Sequence, residues 1–260
     1  MKIPIYQIDA FTDKLFGGNP AAVCPLRKWL DKKIMQNIAF ENNFAETAFI
    51  VKEKGKFHIR WFTPKVEVDL CGHATLATSF VIFKFLDYKK KEIIFSSRSG
   101  ELRVRKEKDL LILNFPSDIA ENADLPTTVG VGIGLLPLET YKGKTDYLLV
   151  YENQEQIESI KPDFGKLAEA EARGIIVTAP GKDCDFVSRF FAPAAGVDED
   201  PVTGSAHTLL IPYWSKKLNK IEMTARQLSR RKGFLKCKFL NDRVDIGGKA
   251  VLFLKGEIVI

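Results

Sequence analysis

Three stretches of this chain recur in the same order about half its length apart. HIRWFTP (58–64) matches FVSRFFAP (186–193), so that Arg60, Phe62 and Pro64 line up with Arg189, Phe191 and Pro193 at an offset of 129. CGHATLA (71–77) matches TGSAHTL (203–209), with Gly72 opposite Gly204 at an offset of 132. SRSGELRV (97–104) matches SRRKGFLKC (229–237), with Ser97 opposite Ser229, again at 132. One such match is weak. Three in order point to two related lobes built on one plan. At 260 residues each lobe has room for its own core, and no staple is needed.

Hydrophobic spacing fills in the plan. Strands are expected at 3–9, 47–52 and 57–63, and a helix over 28–41, where apolar residues fall at 30, 34, 35 and 38. Residues 73–86, HATLATSFVIFKFL, are apolar nearly all round, the mark of a helix enclosed on every side. Short strands follow at 92–97, 101–106 and 109–115. The second half repeats the order: a helix near 163–172, strands near 174–179 and 186–192, an apolar helix from about 205, then strands to the C-terminus. Pro212 lies inside that helix and must kink it or leave a carbonyl without its partner. The expected fold is α+β, two pseudo-symmetric lobes (1–117 and 118–260), each a barrel-like sheet around a central apolar helix. The last strand, 250–260, is a candidate to return to the first lobe. A cleft between two such lobes is a natural ligand site.

Composition excludes several other classes. No apolar run approaches the length of a membrane span, and the N-terminus, MKIPIYQIDAF, alternates like a strand rather than a secretory signal. The cytoplasm is the expected compartment. Cys24, Cys71, Cys184 and Cys237 are scattered, without the clustered spacing of a zinc or iron–sulfur site, so no metal is expected. The formal charge of +6 is spread widely, apart from a cluster at Arg226, Arg230, Arg231 and Lys232, and no nucleic-acid reading motif accompanies it.

Chemistry-bearing residues gather at the two glycine-led helix starts. Each start offers unpaired backbone N–H groups and a positive dipole end, suited to an anion such as a carboxylate. His73 opens the first helix, where its titration range suits proton transfer, although capping is an equally good reading. Cys71 precedes Gly72, and Thr203 holds the matching place. A Cys71–His73 nucleophile lacks any third orienting group identifiable in the sequence. Glu46, in FAETAFI before the 47–52 strand, is a carboxylate at the entrance to an apolar strand. Desolvation there would favour general acid–base work, though a surface loop glutamate is the plainer reading from position alone. Its counterpart in the second lobe is Arg173-Gly174, which makes Glu46 a one-sided base. Asp200 and Ser205, in EDPVTGSAH, read first as capping residues. His207 reads as structural, His58 has no assigned role, and Gly17-Gly18 reads as a turn.

Four segments, DAFTDKLFGGNPAAV (9–23), NFAETAFI (43–50), CGHATLA (71–77) and EDPVTGSAH (199–207), resemble in that order the phenazine-biosynthesis F-like isomerases. ARQLSRRKGFL and RVDIGGKAV extend the resemblance to the C-terminal region, so it covers essentially the whole chain. It implies a diaminopimelate-epimerase-like fold assembled as a homodimer, with no metal or organic cofactor. It also implies Glu46 as the proton-transfer residue, with His73, Asp200 and Ser205 as catalytic partners. Cys71, Gly72, Thr203 and Gly204 would then contact a small carboxylic-acid substrate. Diaminopimelate epimerases place a cysteine at both helix starts. Here Thr203 replaces one of them, and a threonine hydroxyl is too weak an acid to act as a thiolate does at neutral pH. The expected activity is therefore a proton shift by a single carboxylate in the inter-lobe cleft. The competing readings are an amino-acid epimerase or racemase using Cys71 with Glu46, and a ligand-binding protein without catalysis.

Overall fold

The computed structural model describes residues 1–53 and 55–260. The chain forms two units, one of residues 1–114 with 247–260, the other of 115–246. The sequence placed the junction at 117/118. The last strand, for which a return to the first lobe was considered, falls in the first unit.

The first unit contains β1 (Lys2–Ala10), β2 (Asn19–Leu26), α1 (Lys32–Asn42), β3 (Glu46–Glu53), β4 (Lys56–Phe62), β5 (Glu67–Val68), α2 (Gly72–Phe85), β6 (Glu92–Ser97), β7 (Gly100–Glu107) and β8 (Leu110–Pro116). Helix α1 begins at Lys32 rather than 28, because the Asp31 carboxylate accepts from the Lys33 N–H and so sets the cap. It is half-exposed, as its 3.6-residue spacing requires. Helix α2 is buried from His73 to Ile82 except at Phe80, and lies against β1, β2 and β3. Gly18 turns the chain into β2 at φ +61, and a Cβ there would meet the Ala10 carbonyl oxygen at 2.0 Å. Only glycine fits.

The second unit contains β9 (Glu121–Asn122), α3 (Thr127–Ile133), β10 (Glu139–Lys142), β11 (Asp146–Val150), α4 (Gln154–Ser159), α5 (Phe164–Ala168), β12 (Gly174–Pro180), β13 (Phe186–Ala192), β14 (Val197–Glu199), α6 (Gly204–Leu218), β15 (Glu222–Gln227), β16 (Gly233–Leu240) and β17 (Arg243–Gly248). The helix expected over 163–172 is the single turn of α5. Strand β18 (Ala250–Val259) pairs antiparallel with β1 along its whole length.

Strand pairing follows the same order in each unit. In the first, β1 is antiparallel to β2, β2 parallel to β3, β3 antiparallel to β4, and β4 antiparallel to β5. After α2 the chain returns parallel to β4 as β6 and turns back as β7. In the second unit β10, β11, β12, β13 and β14 repeat the first four pairings, and β15 returns parallel to β13 after α6. The matched residues also do matched work. Arg60 on β4 clamps Glu67 on β5 through two bonds of 2.6 and 2.9 Å, and Arg189 on β13 clamps Glu199 on β14 at 2.8 and 3.0 Å. Each bidentate pair pins the short strand that leads into a buried helix.

Helix α6 continues unbroken past Pro212. The carbonyl that proline orphans, on Thr208, is taken by the Asp118 N–H at 3.0 Å. A partner from outside the helix satisfies the group, as a buried carbonyl requires. Among the described residues, no helix is long and apolar enough to cross a membrane.

Candidate active site

Two constellations form, one at each buried helix start. In the first unit Glu46 is the first residue of β3, paired with Ala21 of β2, rather than the last residue of a loop. Its side chain is 18% exposed, so the carboxylate is largely removed from water. His73 is the second residue of α2 and 5% exposed. Its Nε2 stands 3.2 Å from Glu46 Oε2. On the other edge of the ring, Nδ1 lies 3.2 Å from Asn19 Nδ2 and 3.5 Å from Cys71 Sγ.

Local structure explains why these groups meet. Cys71 is the residue before the first turn of α2, in extended conformation, and its side chain makes no capping bond. The thiol faces the imidazole instead. The Cys71 carbonyl accepts from the Thr75 N–H at 3.2 Å and the Thr75 hydroxyl, which fixes that first turn. In an α-helix start, the N–H groups of Gly72, His73 and Ala74 have no intrahelical acceptor. Burial pushes His73 down to about 3, so at neutral pH the ring is uncharged. Where Asn19 Nδ2 donates to Nδ1, the ring carries its proton on Nε2, the edge that faces Glu46. An uncharged ring at this distance leaves the carboxylate's charge unquenched. The sequence offered no third group for a Cys71–His73 pair, and the structure corrects this: Glu46 stands across the ring from the thiol.

In the second unit Thr203 occupies the place of Cys71, but its hydroxyl is fully engaged. It donates to Asp200 Oδ2 at 2.5 Å and accepts from Gln227 Nε2 at 3.2 Å. Gln227, completely buried, also accepts from the Thr203 N–H at 2.8 Å and donates to the Asp200 carbonyl at 2.7 Å. Asp200 thus bonds the Thr203 hydroxyl, and neither it nor Ser205 is the cap of α6. Ser205 Oγ accepts from Arg173 at 3.0 Å. Arg173 is in turn held by the buried Asp146 carboxylate through two nitrogens and lies over the Phe190 ring at 5.4 Å. His207 bonds the Thr203 carbonyl at 2.8 Å, the place that Thr75 fills in the first unit, so its role is structural. His58 lies on β4 with its Nε2 3.8 Å from Glu53 Oε2, away from both helix starts in sequence and pairing.

The two starts therefore share a frame and differ in charge. The residue beside the parallel strand start touches the second residue of the buried helix in both units. In one this is carboxylate on imidazole, in the other guanidinium on hydroxyl. Sequence reasoning missed Asn19, Asp146 and Gln227, and it saw Arg173 only as the place where a carboxylate was missing. The repeat itself was the available signal for Arg173, since it faced Glu46 across the alignment.

Comparison with known proteins bears on the class of enzyme. A family model described as phenazine biosynthesis-like protein matches residues 8–256. An uncharacterized isomerase of Pseudomonas aeruginosa is 50% identical over 259 residues, covering 99% of both chains. The crystal structure of a phenazine biosynthesis protein of the PhzF family from Enterococcus faecalis is 47% identical and covers both chains completely, with a TM-score of 0.98. At the level of fold alone, a probable proline racemase from Agrobacterium radiobacter K84, 10% identical, superposes with a TM-score of 0.65 over 99% of this chain. The mixed α+β fold is thus shared with a probable racemase of distant sequence. The chain belongs to the phenazine biosynthesis-like family and is an enzyme of the isomerase class.

Proposed function

We propose that the enzyme moves a proton between carbon positions of a small carboxylic-acid substrate, with Glu46 as the single proton carrier. One observation carries this reading: the largely desolvated Glu46 carboxylate stands 3.2 Å from an imidazole that burial keeps uncharged. In the proposed step, Glu46 takes a proton from a carbon made acidic by a neighbouring carboxyl or conjugated system. The protonated carboxyl then returns it to another carbon of the same conjugated unit, so atoms and charge balance with no co-reactant. His73 holds Glu46 in register. The free N–H groups at Gly72 and the start of α2 bind the substrate carboxylate. Asp200 and Ser205 complete the proposed catalytic set, and Thr203 and Gly204 the proposed substrate contacts.

A second reading uses Cys71 as a second base for inversion at one stereocentre, and its 3.5 Å approach to His73 Nδ1 supports it. Against it, Thr203 at the matching helix start of the second unit has its hydroxyl proton committed to Asp200. The test is a screen of carboxylic-acid metabolites in deuterium oxide, reading label incorporation and product. Glu46→Gln should fold normally and lose exchange by at least a hundredfold, while Cys71→Ala should retain most of it. Near-normal exchange in Glu46→Gln would end the single-carboxylate mechanism, and loss in Cys71→Ala alone would favour the second reading.

A further inference from the structure

The first-unit cluster has a property that proton transfer does not require. Glu46, Cys71 and His73 each offer one ligand atom, and these three atoms lie within 4.8 Å of one another. They are a carboxylate oxygen, a thiol sulfur and an imidazole nitrogen, the donor set that suits a borderline-soft divalent metal such as zinc rather than magnesium or calcium. Among the described residues, His73 Nε2 is a buried nitrogen that no well-aligned hydrogen bond reaches, although Glu46 Oε2 is 3.2 Å away. That separation is close to the edge of a coordination tetrahedron, about 3.3 Å for two light ligands each about 2.0 Å from zinc.

We propose that Glu46, Cys71 and His73 form a zinc site, with His73 binding through Nε2 and the fourth position left to water. The existing Glu46–His73 contact supplies one edge, and Cys71 Sγ, which now lies 3.5 Å from Nδ1, must rotate toward Nε2 to close the other two. The outer sphere is also in place. Asn19, fully buried, already faces Nδ1 at 3.2 Å. Turning its amide over sets the carbonyl oxygen against an Nδ1–H, the usual partner of a metal-bound histidine. The positive end of α2 opposes a dication. Thiolate and carboxylate together bring the site to formal neutrality and offset it. On binding, the Cys71 thiol releases its proton to solvent and the sulfur bonds to the metal, with no change of oxidation state. The metal acts here as an inhibitor, a consequence that rests on the proposed role of Glu46: a metal-bound carboxylate is a much weaker base and is held away from the substrate carbon.

Cobalt(II) is the spectroscopic probe, added to the full chain without reducing thiols in the buffer, followed by zinc in competition with a chromogenic chelator. One equivalent of cobalt should give a thiolate-to-metal charge-transfer band that zinc abolishes. Cys71→Ala and His73→Gln should each bind zinc at least a hundredfold more weakly, and Cys71→Ala should lose the band. Asn19→Ala should bind ten- to a hundredfold more weakly, as expected of an outer-sphere partner. Cys184→Ala, at a half-buried thiol elsewhere, should bind as the parent does. Absence of the band, or its survival in Cys71→Ala, overturns the site. If Cys71→Ala does not fold, unaltered zinc affinity in a folded His73→Gln overturns it equally. Zinc that binds as described yet leaves deuterium exchange untouched would keep the site and instead remove Glu46 from proton transfer.

Discussion

At the scale of residues, buried amides and imidazoles decide how each helix start is held. Gln227 bridges the Thr203 N–H and the Asp200 carbonyl, both close to the start of α6. Gln227→Leu leaves a donor and an acceptor without partners, each costing about 1–3 kcal/mol. Chemical denaturation should show a loss of about 3 kcal/mol, with exchange activity reduced by more than the fraction unfolded explains. His207 gives a pH signature. Burial lowers it from 6.5 to about 4, with its bond to the Thr203 carbonyl opposing the shift. Between those values the unfolded chain binds a proton that the folded chain refuses, so stability falls as pH drops from 6.5 toward 4. The full effect of that difference is roughly 3 kcal/mol. His207→Gln, which keeps a donor but does not titrate, should flatten this part of the stability–pH curve measured by urea titration. A curve as steep as the parent's would assign the loss to other groups. The structural role of His207 was legible beforehand, but the amides were not. Asn19 and Gln227 carry no charge, and although both lie in segments that carry the family resemblance, their partners come from other elements and nothing local singles them out.

At the scale of elements, the enclosed helices and most short strands were legible, whereas the short helices of the second unit were not. The continuous apolar run of 73–86 marked α2 to within a residue, because enclosure on every side leaves no polar face in the sequence. Residues 127–133, TTVGVGI, are rich in β-branched residues and glycine, yet they form α3. Tertiary packing overrides propensity there. Gly132 shows how: a Cβ on it would meet the Leu167 side chain of α5 at 2.5 Å, so the two short helices approach only because glycine stands at the contact. The clamps that fix β5 and β14 were visible as aligned arginines, but their glutamates were not, since neither lies within a matched segment. Glu67 is 2% exposed, and burial alone would raise its pKa. Hydrogen bonds and charge from Arg60, Arg98 and Lys32 outweigh burial and lower it. A carboxylate so depressed stabilises the fold above the ordinary carboxylate range and loses that contribution as pH falls through its folded value. Glu67→Ala strands a largely buried Arg60 and should cost about 3–5 kcal/mol at pH 7. Hydrogen exchange should rise first in the segment from Thr63 to Cys71, ahead of α2. Uniform loss of protection across the unit would show that the clamp stabilises the whole core rather than the turn before the site.

At the scale of the whole molecule, chain order and unit membership disagree, and this sets the last prediction. The unit of 115–246 is continuous in sequence, whereas the first unit needs residues 247–260 to complete it. Strand β18 pairs with β1 from Lys2↔Val259 to Ala10↔Ala250, with one irregularity at Gln7/Ile8. The duplication in the sequence made a return of the last strand conceivable. It did not require it, because β18 has no counterpart among the matched segments, and its mixed exposure hides the alternation that would name its neighbour. Pairing across some 250 residues pays a large loop-closure cost before it yields any contact, and such contacts form late. The continuous unit should therefore gain amide protection first. In pulse-labelled refolding, β12, β13 and β15 should be protected before β1 and β2. A chain ending at Lys249 should keep native-like protection in β12 and β13 while losing it in β1, which then lacks one of its two neighbours. Equal loss of protection in both units would mean that they fold as a single cooperative body, and the order of formation argued from chain continuity would be wrong.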